Sequence, residues 1–168
     1  GVKTGDNLLT INIQAVAANV IQHPRIERAE VRRRLPGVLL ITVVEREPLL
    51  LLTNGEDVFG VAGDGTFVPV SEDEAALLPV VHGEVDELDE SVLMLANVMP
   101  SDVHARVAEV IVDDRGLTLY GRGGETILLG DASELERKLA IVADLLRQNR
   151  YVVIDVRFPS SPTVRTAR

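Results

Sequence analysis

The chain has 168 residues, which accommodates one large domain or two small ones. Its 17 Lys and Arg stand against 26 Asp and Glu, a net charge of −9, which argues against nucleic acid as the main partner, since neutralising phosphates takes a cationic surplus. With no cysteine, disulfides and thiolate chemistry are excluded, and no apolar run approaches the ~20 residues of a membrane-spanning helix.

Aromatic residues make up only 3% of the chain, so Val, Leu and Ile must fill the core, and β-branched residues favour strands. Gly1 opens the chain with no signal-peptide pattern, as expected of a piece of a longer protein. Ile13, Val16, Ala17, Val20 and Ile21 recur at helical spacing after Asn12, a helix-capping residue, and Pro24 predicts the helix end near Gln22. Alternation over residues 29–35, a Pro36–Gly37 turn and an apolar run over 38–45 predict a β-hairpin. Helix and hairpin form a small α+β unit that ends near Pro48.

Residues 49–70 read as short strands, with Asp64–Gly65 as a hairpin turn. A polar stretch, 71–74, follows. The acidic run 84–90 opens a helix carrying Leu88, Val92, Leu95, Ala96 and Met99, its carboxylates complementing the helix dipole. Three strands are expected at 107–112, 117–120 and 125–129. Ser133 and Glu136 form a capping-box pattern that starts a helix running to about Gln148. Residues 151–158 read as a strong strand, 159–162 as a turn, and 163–166 as a short last strand.

Few residues assemble into chemistry. His23, His82 and His104 stand apart, without metal-ligand spacing, so no metal site is expected. Asp113 and Asp114 precede Arg115–Gly116 and read as a turn rather than as paired catalytic carboxylates. Gly121–Arg122–Gly123–Gly124 lacks a phosphate-loop pattern and reads as a hairpin loop. Arg32, Arg33 and Arg34 alternate between strand faces, so they form no single basic patch; ion pairs to Glu30 or Glu45 are expected. The acidic run lacks calcium-loop spacing, and no serine sits in a nucleophile elbow. No nucleophile, base and orienter come together, so neither an enzyme nor a cofactor is expected.

Three segments in order resemble the FtsQ/DivIB family of bacterial cell-division proteins. Gly5 to Leu9, the helix, and Ala29, Val31, Arg33, Pro36, Leu39, Ile41, Val43, Glu45, Arg46 and Pro48 resemble the second half of a POTRA module. Leu78–Pro79–Val80–Val81–His82–Gly83 is similar to the family's "L-P-x-L-x-G". Leu129–Gly130, Lys138–Leu139 and Ile154–Asp155–Val156–Arg157 resemble the pattern of its C-terminal β domain. The resemblance implies an α+β fold: a partial POTRA module over residues 1–48, lacking its first strand and helix, then a mixed, mostly antiparallel β-sheet domain with two helices over 49–168.

The resemblance further implies the extracytoplasmic part of a single-pass plasma-membrane protein at the division septum, anchored by a helix absent from this chain. It implies no catalysis. It implies divisome partners of the FtsB/DivIC and FtsL type, bound by β-strand addition. The edge expected to receive them comprises Arg157, Phe158, Pro159, Ser160, Ser161, Thr163 and Val164, with Arg157 offered to a partner carboxylate and Phe158 as an apolar anchor. Phe158 stands where the family often has Tyr. Two other readings are a POTRA-bearing secretion or outer-membrane assembly factor and a cell-surface hydrolase.

Overall fold

In the computed structural model of the protein, residues 7–54, 57–82 and 88–166 are described. The first element is α1 (Ile13–Ile21), and Asn12 caps it by accepting from the backbone N–H groups of Gln14 and Ala15 at 3.1 Å each. Ile13, Val16, Ala17 and Val20 are half-buried, and α1 packs on β1 (Ile26–Arg34). β1 pairs antiparallel with β2 (Val38–Glu45), placing Val31 opposite Ile41 and Arg33 opposite Leu39. Arg32 meets Glu30 at 2.5 Å, as the alternation predicts, and Arg33 donates to the carbonyls of Leu8 and Ile11.

The hairpin's apolar burial is small. Val31 is its buried residue, whereas Val38, Leu40, Ile41, Val43 and Val44 all remain exposed. Few buried contacts mean low local protection. Amide exchange is therefore expected to be faster over 38–44 than over 152–154; equal protection in the two strands would contradict this.

Among the described residues the larger sheet has nine strands, in the order β11-β10-β9-β8-β7-β6-β3-β4-β5. They are β3 (Pro48–Asn54), β4 (Asp57–Ala62), β5 (Phe67–Val68), β6 (Val80–His82), β7 (Val107–Asp113), β8 (Gly116–Gly121), β9 (Thr126–Gly130), β10 (Tyr151–Asp155) and β11 (Thr163–Thr166). β10–β9, β3–β6 and β6–β7 are parallel and the other pairs antiparallel, which is the mixed, mostly antiparallel sheet expected. Asp64–Gly65 does turn β4 into β5, with Gly65 at φ +80°.

Helices α3 (Glu90–Val98) and α5 (Leu135–Leu146) are the two expected; single-turn α2 (Glu72–Ala75) and α4 (Ser101–His104) add to them. α5 packs on β9 and β10 and against α3 and α4. The core lies between, built from Leu50 and Leu52 of β3, Leu117 and Leu119 of β8, Ile127 and Leu129 of β9, and Leu139 and Val142 of α5. Alternation in β8, with Leu117 and Leu119 buried and Tyr120 exposed, points one face at these helices.

Several expectations need correction. Ser133 does not cap α5: its hydroxyl donates to Asp131 at 2.5 Å, and Glu134, at φ +53°, occupies the cap position without a side-chain bond. Asp131 draws Ser133 away because it also accepts the Ser133 N–H and the Lys138 ammonium. The capping box lies instead in the polar stretch 71–74, between Ser71 and Glu74, and starts α2. α5 ends at Leu146, two residues early, and Asn149 reverses the chain at φ +50°. β10 ends at Asp155 rather than 158, since the Asp155 carboxylate accepts the Arg157 N–H and bends the chain. The acidic run 84–87 lies outside the described residues; α3 itself begins with Asp89 as its cap.

Among the described residues five carboxylates are held below the usual carboxylate range, three of them down to about 2. The Arg46 hydrogen bond holds Asp64 down to about 2. The Ser71 N–H, then Arg25, lower Glu74 to about 2. The Ser133 hydroxyl, then Lys138, lower Asp131 to about 2. A depressed folded-state pKa means that the unfolded chain binds protons first as pH falls, so this stability is complete above the ordinary carboxylate range and lost towards pH 2. Melting temperature should stay level from neutral pH to roughly pH 5 and drop between about 4.5 and 2. A midpoint that holds or rises over that acid range would refute the assignment.

Candidate functional site

β9 and β10 run parallel, with Asp155 at the end of β10 opposite Leu128 while β9 continues to Gly130, and the chain leaving β10 turns back so that β11 pairs with it antiparallel. Val156 stays attached through its N–H to the Leu128 carbonyl at 3.0 Å. The Phe158 carbonyl accepts the Ser161 N–H at 2.9 Å, which closes the turn around Pro159 and Ser160. Thr163 then pairs with Asp155 and Val164 with Ile154. β11 is the end strand in the sheet order, its four residues are exposed, and its outer side has no strand partner among the described residues. The opposite end of the sheet differs: β5 is two residues long and precedes Pro69, which blunts it as a template.

Phe158 is 74% exposed, the highest value among the large hydrophobic side chains described. Arg157 differs from expectation. Its guanidinium is engaged within the chain by Asp155, Nε at 3.0 Å and Nη2 at 2.6 Å. That contact lowers the Asp155 pKa and raises that of Arg157. The stem of Arg157 lies over Gly130, where an added Cβ would come within 3.0 Å of its Cγ.

The platform beneath is held by Lys138, which is fully buried. Its Nζ donates to the Asp131 carbonyl at 2.8 Å and carboxylate at 2.9 Å. Between this loop, the β7–β8 turn and Phe158 lies a cleft of about 530 Å³, lined also by Asp89, Asp113, Asp114 and Arg115. Asp113 accepts the Arg115 N–H at 2.7 Å, so it serves its turn, in agreement with the turn reading. The histidines do not converge: His23 accepts from Arg25 N–H, His82 meets Thr53, and His104 meets the Leu49 carbonyl.

The structure thus brings Arg157, Phe158, Thr163 and Val164 to one corner of the sheet, joined by the Pro159–Ser161 turn. It extends the edge to Arg165 and Thr166, which the sequence pattern alone had assigned to a strand but not to the site. Lys138 was part of the quoted motif, yet its burial against Asp131 had no separable signal in the sequence.

A helix on a hairpin joined to a nine-stranded mixed sheet defines an α+β protein of two unlike units. The family model described as "POTRA domain, FtsQ-type" matches residues 1–46, and that described as "Cell division protein FtsQ/DivIB, C-terminal" matches residues 50–157. The chain belongs to the FtsQ/DivIB family of cell division proteins. Similar proteins include "Cell division protein FtsQ" of Anaeromyxobacter, 32% identical over 82% of this chain and 52% of the relative. The protein of the same name in Mycobacterium leprae is 30% identical over 98% of this chain and 49% of its own length. "Cell division protein DivIB" of Clostridium acetobutylicum is 28% identical over 40% of this chain and 27% of the relative. The chain spans about half the length of the first two.

Proposed function

We propose that this chain is the extracytoplasmic scaffold part of a single-pass membrane protein of the divisome, and that it recruits division partners by binding rather than by catalysis. Its two domains are residues 1–48 and 49–168. The partner is a divisome subunit of the FtsB/DivIC type, accompanied by one of the FtsL type. The observation that carries this reading is the outer side of β11, which has no strand partner among the described residues, beside the exposed Phe158. An open strand edge offers backbone donors and acceptors in a row, and an incoming strand satisfies them while its alternate side chains select the register. Phe158 then supplies an apolar anchor at the strand's end. Membership in a family named for cell division supports the setting, and the FtsQ-type character of the POTRA match favours it over a secretion or assembly factor.

A photo-crosslinking residue at Val164 tests this in dividing cells, with one at Ala140 on the exposed side of α5 as control. The expected adduct is with the FtsB- or DivIC-type subunit, from position 164 alone. Equal adducts from both positions, or adduct from 140 only, would refute the edge as the binding surface.

A further inference from the structure

Two arginines sit at the root of the hairpin, one on each side: Arg25 just before β1 and Arg46 just after β2. They are tied together, since the Arg46 N–H donates to the Arg25 carbonyl at 2.8 Å. Arg46 also donates from Nη1 to the carbonyls of Pro24 at 3.0 Å and Ile26 at 2.7 Å, which fixes its direction. Both side chains then leave the hairpin for the larger sheet. Arg46 Nε reaches Asp64 in the β4–β5 turn at 2.8 Å, and Arg25 reaches Glu74 in α2.

The two acceptors are held in place beforehand. Asp64 accepts the Thr66 N–H of its own turn, and Glu74 accepts the N–H and hydroxyl of Ser71. Preorganised carboxylates lose little freedom when the guanidinium groups arrive. The arginine side chains are 17% and 21% exposed but their carboxylate partners are 48% and 39% exposed, so salt reaches both pairs.

Among the described residues little else joins the units. α1 buries no residue fully, β2 is almost wholly exposed, and neither packs extensively on an element of the nine-stranded sheet. The covalent link between β2 and β3 is only Arg46 and Glu47. Orientation across such a joint is set by polar contacts when apolar burial is lacking.

We propose that Arg25 and Arg46, with Glu74 and Asp64, form a two-point electrostatic latch that fixes the hairpin unit against the nine-stranded sheet, and that the joint swivels once the latch is released. The latch sets the angle between the two units. This goes beyond the binding role of β11 and does not depend on it.

The chain has no cysteine, so Thr42→Cys on β2 and Ala140→Cys on α5, both exposed positions, place two spin labels uniquely. Distances are then measured by double electron–electron resonance. A narrow distribution is expected in low salt. Asp64→Asn with Glu74→Gln removes both charges but keeps the oxygens that serve Thr66 and Ser71, and should broaden the distribution roughly twofold. Molar salt should broaden the charged protein and leave the neutral variant unchanged. A neutral variant as narrow as its parent would overturn the latch, as would a charged protein that is equally broad in low salt. If the double variant does not fold, the salt series decides alone: no broadening refutes the proposal.

Discussion

Gly116→Ala is expected to destabilise the protein by about 3 kcal/mol or more, because strain and collision act together there. Gly116 opens β8 at φ +93°, a region costly for any residue with a Cβ. An added methyl would stand 2.2 Å from the Gly130 carbonyl oxygen and 2.9 Å from the Asp131 nitrogen. Both are backbone atoms of the adjoining strand and loop, so no side chain can rotate away. β8 would have to part from β9 where Leu117 faces Gly130, disturbing the loop that Lys138 anchors. Gly65→Ala is the matched control. It has similar φ, +80°, but its Cβ would meet only the Leu93 side chain, at 3.4 Å. Backbone strain alone predicts a loss nearer ~1 kcal/mol there. Urea denaturation of both variants measures the difference; equal losses would show that the collision with Gly130 is relieved.

Lys138→Ala should be nearly as damaging, at about 3 kcal/mol, or roughly 9 °C in melting temperature for a chain of this length. The side chain is fully buried, and its stem fills core volume among α5 and the sheet. Truncation leaves a cavity and deprives the Asp131 carbonyl of its donor. The carboxylate of Asp131 is itself 77% exposed, so its charge stays solvated when the ammonium goes. Lys138→Met keeps the stem and gives up only the polar contacts. It should therefore recover most of the loss, ending within ~1 kcal/mol of the parent. A Met variant as unstable as the Ala variant would mean that the ion pair, not the packed stem, holds this corner.

These two residues mark how far the sequence could be read. Periodicity and turn chemistry located α1, the hairpin, the β4–β5 turn, β7 to β9 and α5, because each is specified by its own neighbours. Capping was harder. The same Ser-x-x-Glu spacing occurs at 71–74 and 133–136, and only the first forms a box. What separates them is Lys138, which reaches back to Asp131 and recruits that loop into a different bond network. Tertiary contact decided it, and a local pattern carries no record of such contact. The interleaving of parallel strands, with β6 between β3 and β7, was equally hidden, since pairing partners lie far apart in the chain. At the candidate site the exposed Phe158 and the last strand were legible from position and residue type. The capture of Arg157 by Asp155 was within reach, two residues apart, yet a strand running to 158 would have sent the two side chains along one face without a bend.

The central claim, that the β11 edge with Phe158 binds a divisome partner, is tested most directly by calorimetric titration. The chain and its Phe158→Ala variant are each titrated with the extracytoplasmic segment of the FtsB- or DivIC-type protein from the same genome. An anchor that becomes buried on binding contributes ~2 kcal/mol or more, so the variant should bind at least roughly tenfold more weakly. Its melting temperature should match the parent's, because Phe158 is largely exposed in the free chain. Equal affinity for the two proteins would contradict the claim.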